Sequence, residues 1–410
     1  MIQTLIGGIW YFLSFGFFKV WPYYFDNIEK FLDNSTSNNS EMIFPIKTHI
    51  TRTALVLAIA IPIGAGLSGA LIPKLGNRLV GILFTALMGL MLLVFTYFME
   101  KNWTGGLFIP FIPFGFAGGV LNVNLQNNIV KSVPTEHRGS SLVLCSTGMS
   151  LAFFLLPKFF RMTTEKYGIL NSLKLTSCLF FIGTFISFFT CSKKQELKEK
   201  PKIISKALFK NKNYIYFLIV AVSAFVSNSV FSVFFVDYLQ FNMKMSHLQI
   251  QRVFITMAVG DLLSRVIGSF TFRKYDTIKL LRLFLLMNFI MTIVLFLAVI
   301  EFQIVLVVPY IGISVGMIAG CLSVLLARIV PVQEHAIASA TFMLIVGLAN
   351  MPITILCNVM VQITSNVNLT NLVVAILIAI SIVFLKNIDL KDDDEASFYD
   401  KDEEKQDILE

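Results

Sequence analysis

Long apolar runs alternate along this chain with short polar breaks. A helix needs ~20 mostly apolar residues to cross a bilayer. Twelve runs reach that length, at roughly 2–24, 53–72, 79–98, 105–130, 140–159, 169–190, 214–238, 250–272, 279–299, 303–329, 336–362 and 370–386. Six precede the longest break, CSKKQELKEKPKIISKALFKNKN (191–213), and six follow it. The pattern predicts an all-α membrane protein of twelve transmembrane helices in two six-helix halves, residues 1–190 and 214–387, joined by a basic linker over 191–213. The acidic, polar tail over 388–410 is expected to be disordered. The chain is apolar from Ile2, with no basic start and no small-residue cleavage pattern, so the first run reads as a spanning helix and not as a removable signal.

Composition agrees with a lipid solvent. Hydrophobic residues make up 56% of the chain and charged residues 14%, too few to solvate a globular surface of this size. A net charge of +8 would point to nucleic acid in a soluble protein; here it is the basic side of a membrane protein, and no nucleic-acid partner is expected. With the N-terminus inside, seventeen lysines and arginines fall on inner loops and ten on outer ones, which places both termini in the cytoplasm. The complete N-x-[ST] acceptors at Asn34, Asn38, Asn102 and Asn368 then all fall outside, as glycosylation candidates of a plasma-membrane protein. The cysteines, Cys145, Cys178, Cys191, Cys321 and Cys357, lie within or beside apolar runs and show no metal-ligand spacing. His49, His137, His247 and His335 lie near loops and read as surface or interface residues. Without a catalytic constellation, neither an enzyme nor a cofactor is expected.

The stretch GALIPKLGNRLV (69–80) joins the second and third runs. Its Gly69, Gly76 and Arg78 resemble the G-x-x-x-D-R-x-G-R-R loop of the major facilitator superfamily, whose six-plus-six plan the run count also resembles. Pro73 and Lys74 stand where that loop has its acidic residue. A glycine permits the tight turn and Arg78 would face carbonyls or carboxylates, a gating or structural device that says nothing of a solute.

Inside the eighth run, GDLLSRVIGSF (260–270) carries Asp261 and Arg265, four residues apart and so on one helix face. Each would cost ~2.5–3.5 kcal/mol at the bilayer centre, so both are expected to face the interior, paired or hydrated. They either lock two helices together or form a solute and proton site. Lys19, in the aromatic stretch YFLSFGFFKVWPYYF (11–25), either snorkels to the interface beside Trp21, Tyr23 and Tyr24 or joins that site. Asn122 and Asn124 in the fourth run are expected to bond helix to helix more than to touch a solute. Gly312, Gly316 and Gly320 recur every fourth residue in the tenth run, where small residues let helices approach closely.

Four segments resemble the monocarboxylate transporter family: SFGFFKVWPYYFDNIEKF (14–31) its first span, GGVLNVNLQNNIVKSVPTEHRGSSLVL (118–144) its fourth and the basic loop beyond, GDLLSRVIGSF its eighth with the D-x-x-x-R pair, and GCLSVLLARIV (320–330) its tenth. The resemblance covers roughly 5–385 and is concentrated in these islands. The family's acidic-Gly-Gly-Trp-Gly-Trp entry to the first span is missing, and its fifth-span signature survives only as His137, Arg138 and the small residues after them, the pattern of a divergent member. The resemblance implies Lys19, Asp261 and Arg265 as solute and proton-coupling residues, Phe15, Leu326 and Asn122 as cavity wall, and a small monocarboxylate and a proton as cargo. It also implies a single-span glycoprotein chaperone as a partner. The expected function is proton-coupled symport of small monocarboxylates by alternating access. The alternatives are a facilitative carrier of another organic solute, such as an aromatic amino acid, and a non-transporting receptor or sensor on the same fold.

Overall fold

A computed structural model describes residues 2–36, 46–191, 205, 207–272 and 275–389. The described residues form α-helices with no strand: α1 (Ile2–Val20), α2 (Phe25–Thr36), α3 (Ile46–Leu75), α4 (Asn77–Glu100), α5 (Phe111–Ser132), α6 (Thr135–Tyr167), α7 (Ile169–Thr190), α8 (Lys212–Asp237), α9 (His247–Thr271), α10 (Thr277–Phe296), α11 (Glu301–Ile329), α12 (His335–Thr364) and α13 (Leu369–Leu385). All but α2 correspond to the twelve expected spans. Ten of them are long and apolar enough to cross a membrane, and α13 is a shorter apolar helix. Helices are what such runs must form, because lipid leaves every backbone N–H and C=O to be satisfied within the segment. The expected linker, apart from its ends, and the tail from residue 390 onward lie outside the described residues.

Two local expectations are corrected. The stretch 69–80 is almost entirely helical: α3 continues through Leu75, and the reversal into α4 is made at Gly76 alone, with φ 80°. Nothing before Gly76 needs left-handed backbone, and Ile72 remains buried, so the helix has no reason to stop earlier. The first span, expected over 2–24, ends as an α-helix at Val20 and turns through a 3-10 segment at Trp21–Tyr24, and the expected outer loop beyond it begins as α2, a second short helix. Ile28 and Leu32, one turn apart on α2, are fully buried.

Because consecutive spans run in opposite directions, the bundle has two ends. At the linker end, Arg78 Nε donates to Phe188 O at 2.6 Å, Asn213 Nδ2 to Asp389 O at 2.7 Å, and the Tyr214 hydroxyl to Ala338 O at 2.9 Å. At the far end, Lys174 pairs with Glu100 at 2.5 Å, Gln249 Nε2 bonds Glu301, and Asn368 Nδ2 donates to Phe296 O at 2.8 Å. Helix starts are capped where the sequence provides an oxygen. Ser246 and Gln249 form a capping box on α9, and Asp276 accepts from Ile278 N at 2.9 Å at the start of α10.

Apolar burial alone gives little drive for helix association in lipid, so close contact matters. In the first half, α3 and α5 touch through glycines. A β-carbon at Gly64 would collide with Phe116 O, and one at Gly119 with Ile61 O. Farther out, Phe17, Trp21, Tyr24, Phe95, Phe111 and Phe114 form a ring cluster, with Trp21 and Phe111 centroids 4.6 Å apart. In the second half, α9 and α11 meet where Gly312 faces Met257 O and Gly260 faces Pro309 O.

The halves meet along two seams. In one, α6 lies against α9 and α11; in the other, α3 and α5 lie against α12. Val143 of α6 occupies the space left by Gly268 of α9 and Gly320 of α11, and Val324 faces Gly139. Across the other seam, Gly347 faces Pro62, Gly66 faces Leu344, and Asn122 Nδ2 approaches Met343 Sδ at 3.8 Å. These crossings run from mid-helix towards the linker end, and on the other side of mid-helix Phe153 of α6 meets Phe254 of α9 with ring centres 6.1 Å apart.

Candidate functional site

Asp261 and Arg265 lie in the middle of α9, on the face it turns towards α6 and α11. Their four-residue spacing brings Arg265 Nε to 2.9 Å from Asp261 Oδ1. The Arg265 side chain is 1% exposed and that of Asp261 15%. The second carboxylate oxygen, Oδ2, accepts a hydrogen bond from the Ser150 hydroxyl of α6, which belongs to the other half. Gly316 of α11 makes room for the pair, since a β-carbon there would sit 2.5 Å from Asp261 Oδ1 and against Ser264 Oγ. Ser264 itself turns back to Asp261 O at 2.8 Å.

The electrostatics follow from this geometry. A carboxylate and a guanidinium in a buried site are tolerated when paired and bonded, and costly when either stands alone. Both Asp261 oxygens are occupied. Arg265 is not fully satisfied: its Nη2 is buried with no hydrogen-bond partner among the described residues. The site therefore carries a closed ion pair and one guanidinium nitrogen without an acceptor among the described residues.

The remaining predicted residues are placed less evenly. Lys19 and Phe15 belong to α1, near its far end, but their side chains lie outside the described residues. Leu326 is 1% exposed and buried in the apolar core of the second half, so it packs and does not line open space. Asn122 is buried at the seam with α12, while Asn124 Nδ2 donates to Asn77 O at 3.0 Å, a helix-to-helix bond. Asn127 Nδ2 reaches Asn77 Oδ1 at 2.9 Å, completing a buried amide cluster beside the Gly76 turn. Gly69 is a buried residue of α3. Arg78 bonds the Phe188 carbonyl at the C-terminal end of α7, with its guanidinium 4.3 Å from the Phe188 ring centre.

Of the glycosylation candidates, Asn102 is exposed in a turn with φ 52°. Asn34 lies in α2 with its side chain outside the described residues, and Asn38 lies outside them altogether. The Asn368 amide is already engaged, donating to Phe296 O and accepting from Asn371 Nδ2 at 3.0 Å. His335, read as a surface or interface residue, is 1% exposed at the start of α12, with Nδ1 3.5 Å from Ser339 Oγ. Among the described residues, no group of three or more His, Cys, Asp or Glu side chains could hold a metal. A cleft of ≈ 450 Å³ between α8, α12 and α13 is walled by Leu218, Val222, Ile345, Ile353 and Leu377 and receives none of the α9 charges.

Ser150 is the functional candidate that the sequence did not single out. Its surroundings, STGMSLAF, offer several small hydroxyl residues and nothing to show which one would face a charge.

Comparison with known proteins gives a consistent answer. Residues 47–354 match the family model described as Major Facilitator Superfamily. No curated protein matches the chain by sequence. Among solved structures, the chain is similar to the proton:xylose symporter XylE bound to 6-bromo-6-deoxy-D-glucose, with TM-score 0.77 and 13% identity over 95% of this chain and 96% of that one. It is also similar to a bacterial homologue of the iron transporter ferroportin in an outward-facing state, with TM-score 0.73 and 14% identity over 94% and 98% of the two chains. A third likeness is to the human organic anion transporter MFSD10, with TM-score 0.71 and 12% identity over 94% and 98%. At these identities the likeness is one of fold.

Proposed function

Because the chain belongs to the major facilitator superfamily, we propose that it is a secondary transporter that moves a small organic solute across a membrane by rocking its two halves about a site at Asp261 and Arg265. The observation that carries this reading is the α9 charge pair: buried at mid-helix, bonded to Ser150 of the opposite half, and holding one unpartnered guanidinium donor. Intramembrane charges with such surroundings mark solute and ion pathways. The basic linker end is cytoplasmic on this reading, and the crossings near that end support a carrier of the plasma membrane whose halves are closed there.

The cargo is a small monocarboxylate, carried with a proton. Arg265 Nη2 suits a carboxylate oxygen, and Asp261 is the group that would take the proton. A facilitative carrier of another organic solute is the second reading. It is favoured by the closure of the Asp261–Arg265 pair on itself, which leaves the site neutral and able to offer its free donor to any acceptor oxygen.

The test is uptake into proteoliposomes of labelled lactate and pyruvate under an imposed proton gradient, with amino acids, sugars and nucleosides as a parallel panel. Gradient-driven accumulation of an acid supports symport. Equilibration of another solute without gradient dependence supports the second reading. No uptake of any solute by folded protein would favour a receptor or sensor and defeat both.

A further inference from the structure

Buried serines and threonines in these helices mostly turn their hydroxyl back on their own helix. Ser146 donates to Val143 O at 2.6 Å, Thr147 to Leu144 O at 2.6 Å, Ser227 to Ala224 O at 2.8 Å, and Ser269 to Val266 O at 2.7 Å. Ser150 does otherwise. It is 1% exposed at the middle of α6, and its hydroxyl donates to the Asp261 carboxylate of α9. The bond crosses from the first half to the second. It also completes the surroundings of Asp261, whose other oxygen is held by Arg265 Nε while Gly316 leaves the space both occupy.

We propose that Ser150 is a positioning residue that ties the Asp261–Arg265 pair to the first half and latches the α6–α9 seam in the conformation closed at the linker end. This rests on the reading that the two halves rock. A hydrogen bond to an ionised carboxylate is roughly twice as strong as one between neutral groups. It is therefore worth most while Asp261 is charged and Oδ2 is free to accept. Any group that takes Oδ2, whether a proton or a donor on a solute, weakens the latch and lets the seam part. Ser150 thus links the occupancy of the charge pair to the movement of the halves, although it is not itself the group that meets the solute.

The seam can be watched without transport. Val143 is 0% exposed where α6 meets α9 and α11. A cysteine placed there, Val143→Cys, is reached by a bulky thiol reagent only when the linker end opens, and protein without that substitution gives the background from the native cysteines. In the full chain in lipid nanodiscs, Ser150→Ala should speed modification at 143 on the order of 10-fold or more, the open-to-closed ratio expected on losing a hydrogen bond to a charged group. Ser150→Thr, which keeps the hydroxyl, should stay close to the parent rate. In an Asp261→Ala background, Ser150→Ala should add nothing, because the partner has already gone. If Ser150→Ala fails to fold, Ser150→Val, which has the shape of the threonine variant without its hydroxyl and adds no thiol, should show the same direction. The proposal is overturned if labelling is unchanged in the variants that lack the hydroxyl, or if the increase is equally large in the Asp261→Ala background, which would make Ser150 a packing residue only. Labelling is read without any solute, so a chain that carries nothing but shows this coupling would sink the transport reading and leave the latch standing.

Discussion

Replacing Asp261 by alanine removes one half of a buried ion pair and leaves the other. Arg265 is 1% exposed, its Nε loses the oxygen 2.9 Å away, and its Nη2 is already without a partner. Breaking a buried pair in this way costs about 3–5 kcal/mol, because the surviving charge is stranded. Asp261 is 15% exposed, so some of its charge is already relieved and the lower part of that range applies. For a cooperative unit of 150–250 residues, 1 kcal/mol shifts Tm by about 2–4 °C, so Asp261→Ala should melt ~6–12 °C below the parent. Arg265→Met, which strands the carboxylate instead, should lose less, since Ser150 still donates to Asp261. The double variant Asp261→Ala/Arg265→Met removes both charges and should recover most of the loss, because an apolar replacement for a buried pair is close to neutral. The assay is thermal unfolding of purified protein in one detergent, analysed as a double-mutant cycle. Strict additivity of the two single changes, or an Asp261→Ala variant that melts with the parent, would show that the charges are solvated independently and that the pairing described here does not matter to the fold.

Gly312→Ala would drive a β-carbon into the Met257 carbonyl, a backbone atom that cannot swing aside, and should cost about 1–3 kcal/mol by thermal unfolding; Gly105→Ala, with nothing within 4 Å, should be silent. In a glycosylating host, Asn102→Gln should remove a gel-mobility step, whereas Asn368→Gln should leave mobility unchanged and lower stability by about 1 kcal/mol through loss of the bond to Phe296 O. A glycan found on Asn368 by mass spectrometry would contradict that bond. A tag inserted within 195–205 should be protected from antibody in intact cells, and labelling from outside would reverse the proposed orientation.

Alternation of long apolar runs with polar breaks was enough to determine the helix class, the number of spans and their approximate positions, because lipid permits few other backbone solutions for such runs. Spacing alone also placed Asp261 and Arg265 on one face, since a helix of 3.6 residues per turn leaves no alternative. The turn at Gly76 could be anticipated from residue type, though not its narrowness, because the length of α3 is set by what Ile72 packs against. Phe25, Ile28, Phe31 and Leu32 carried the signal for α2, but four apolar positions in a short polar stretch do not declare a helix until a neighbouring surface buries Ile28 and Leu32. Partners across the chain were beyond any local pattern. Ser150 and Asp261 are 111 residues apart, and one hydroxyl among several similar ones was chosen by the orientation of α6 against α9. Leu326 shows the converse, for residue type suits both a cavity wall and a core, and its burial in the second half comes only from the position of α11. Sequence fixes which faces are apolar and where charge must be sheltered; which element does the sheltering depends on how whole helices meet.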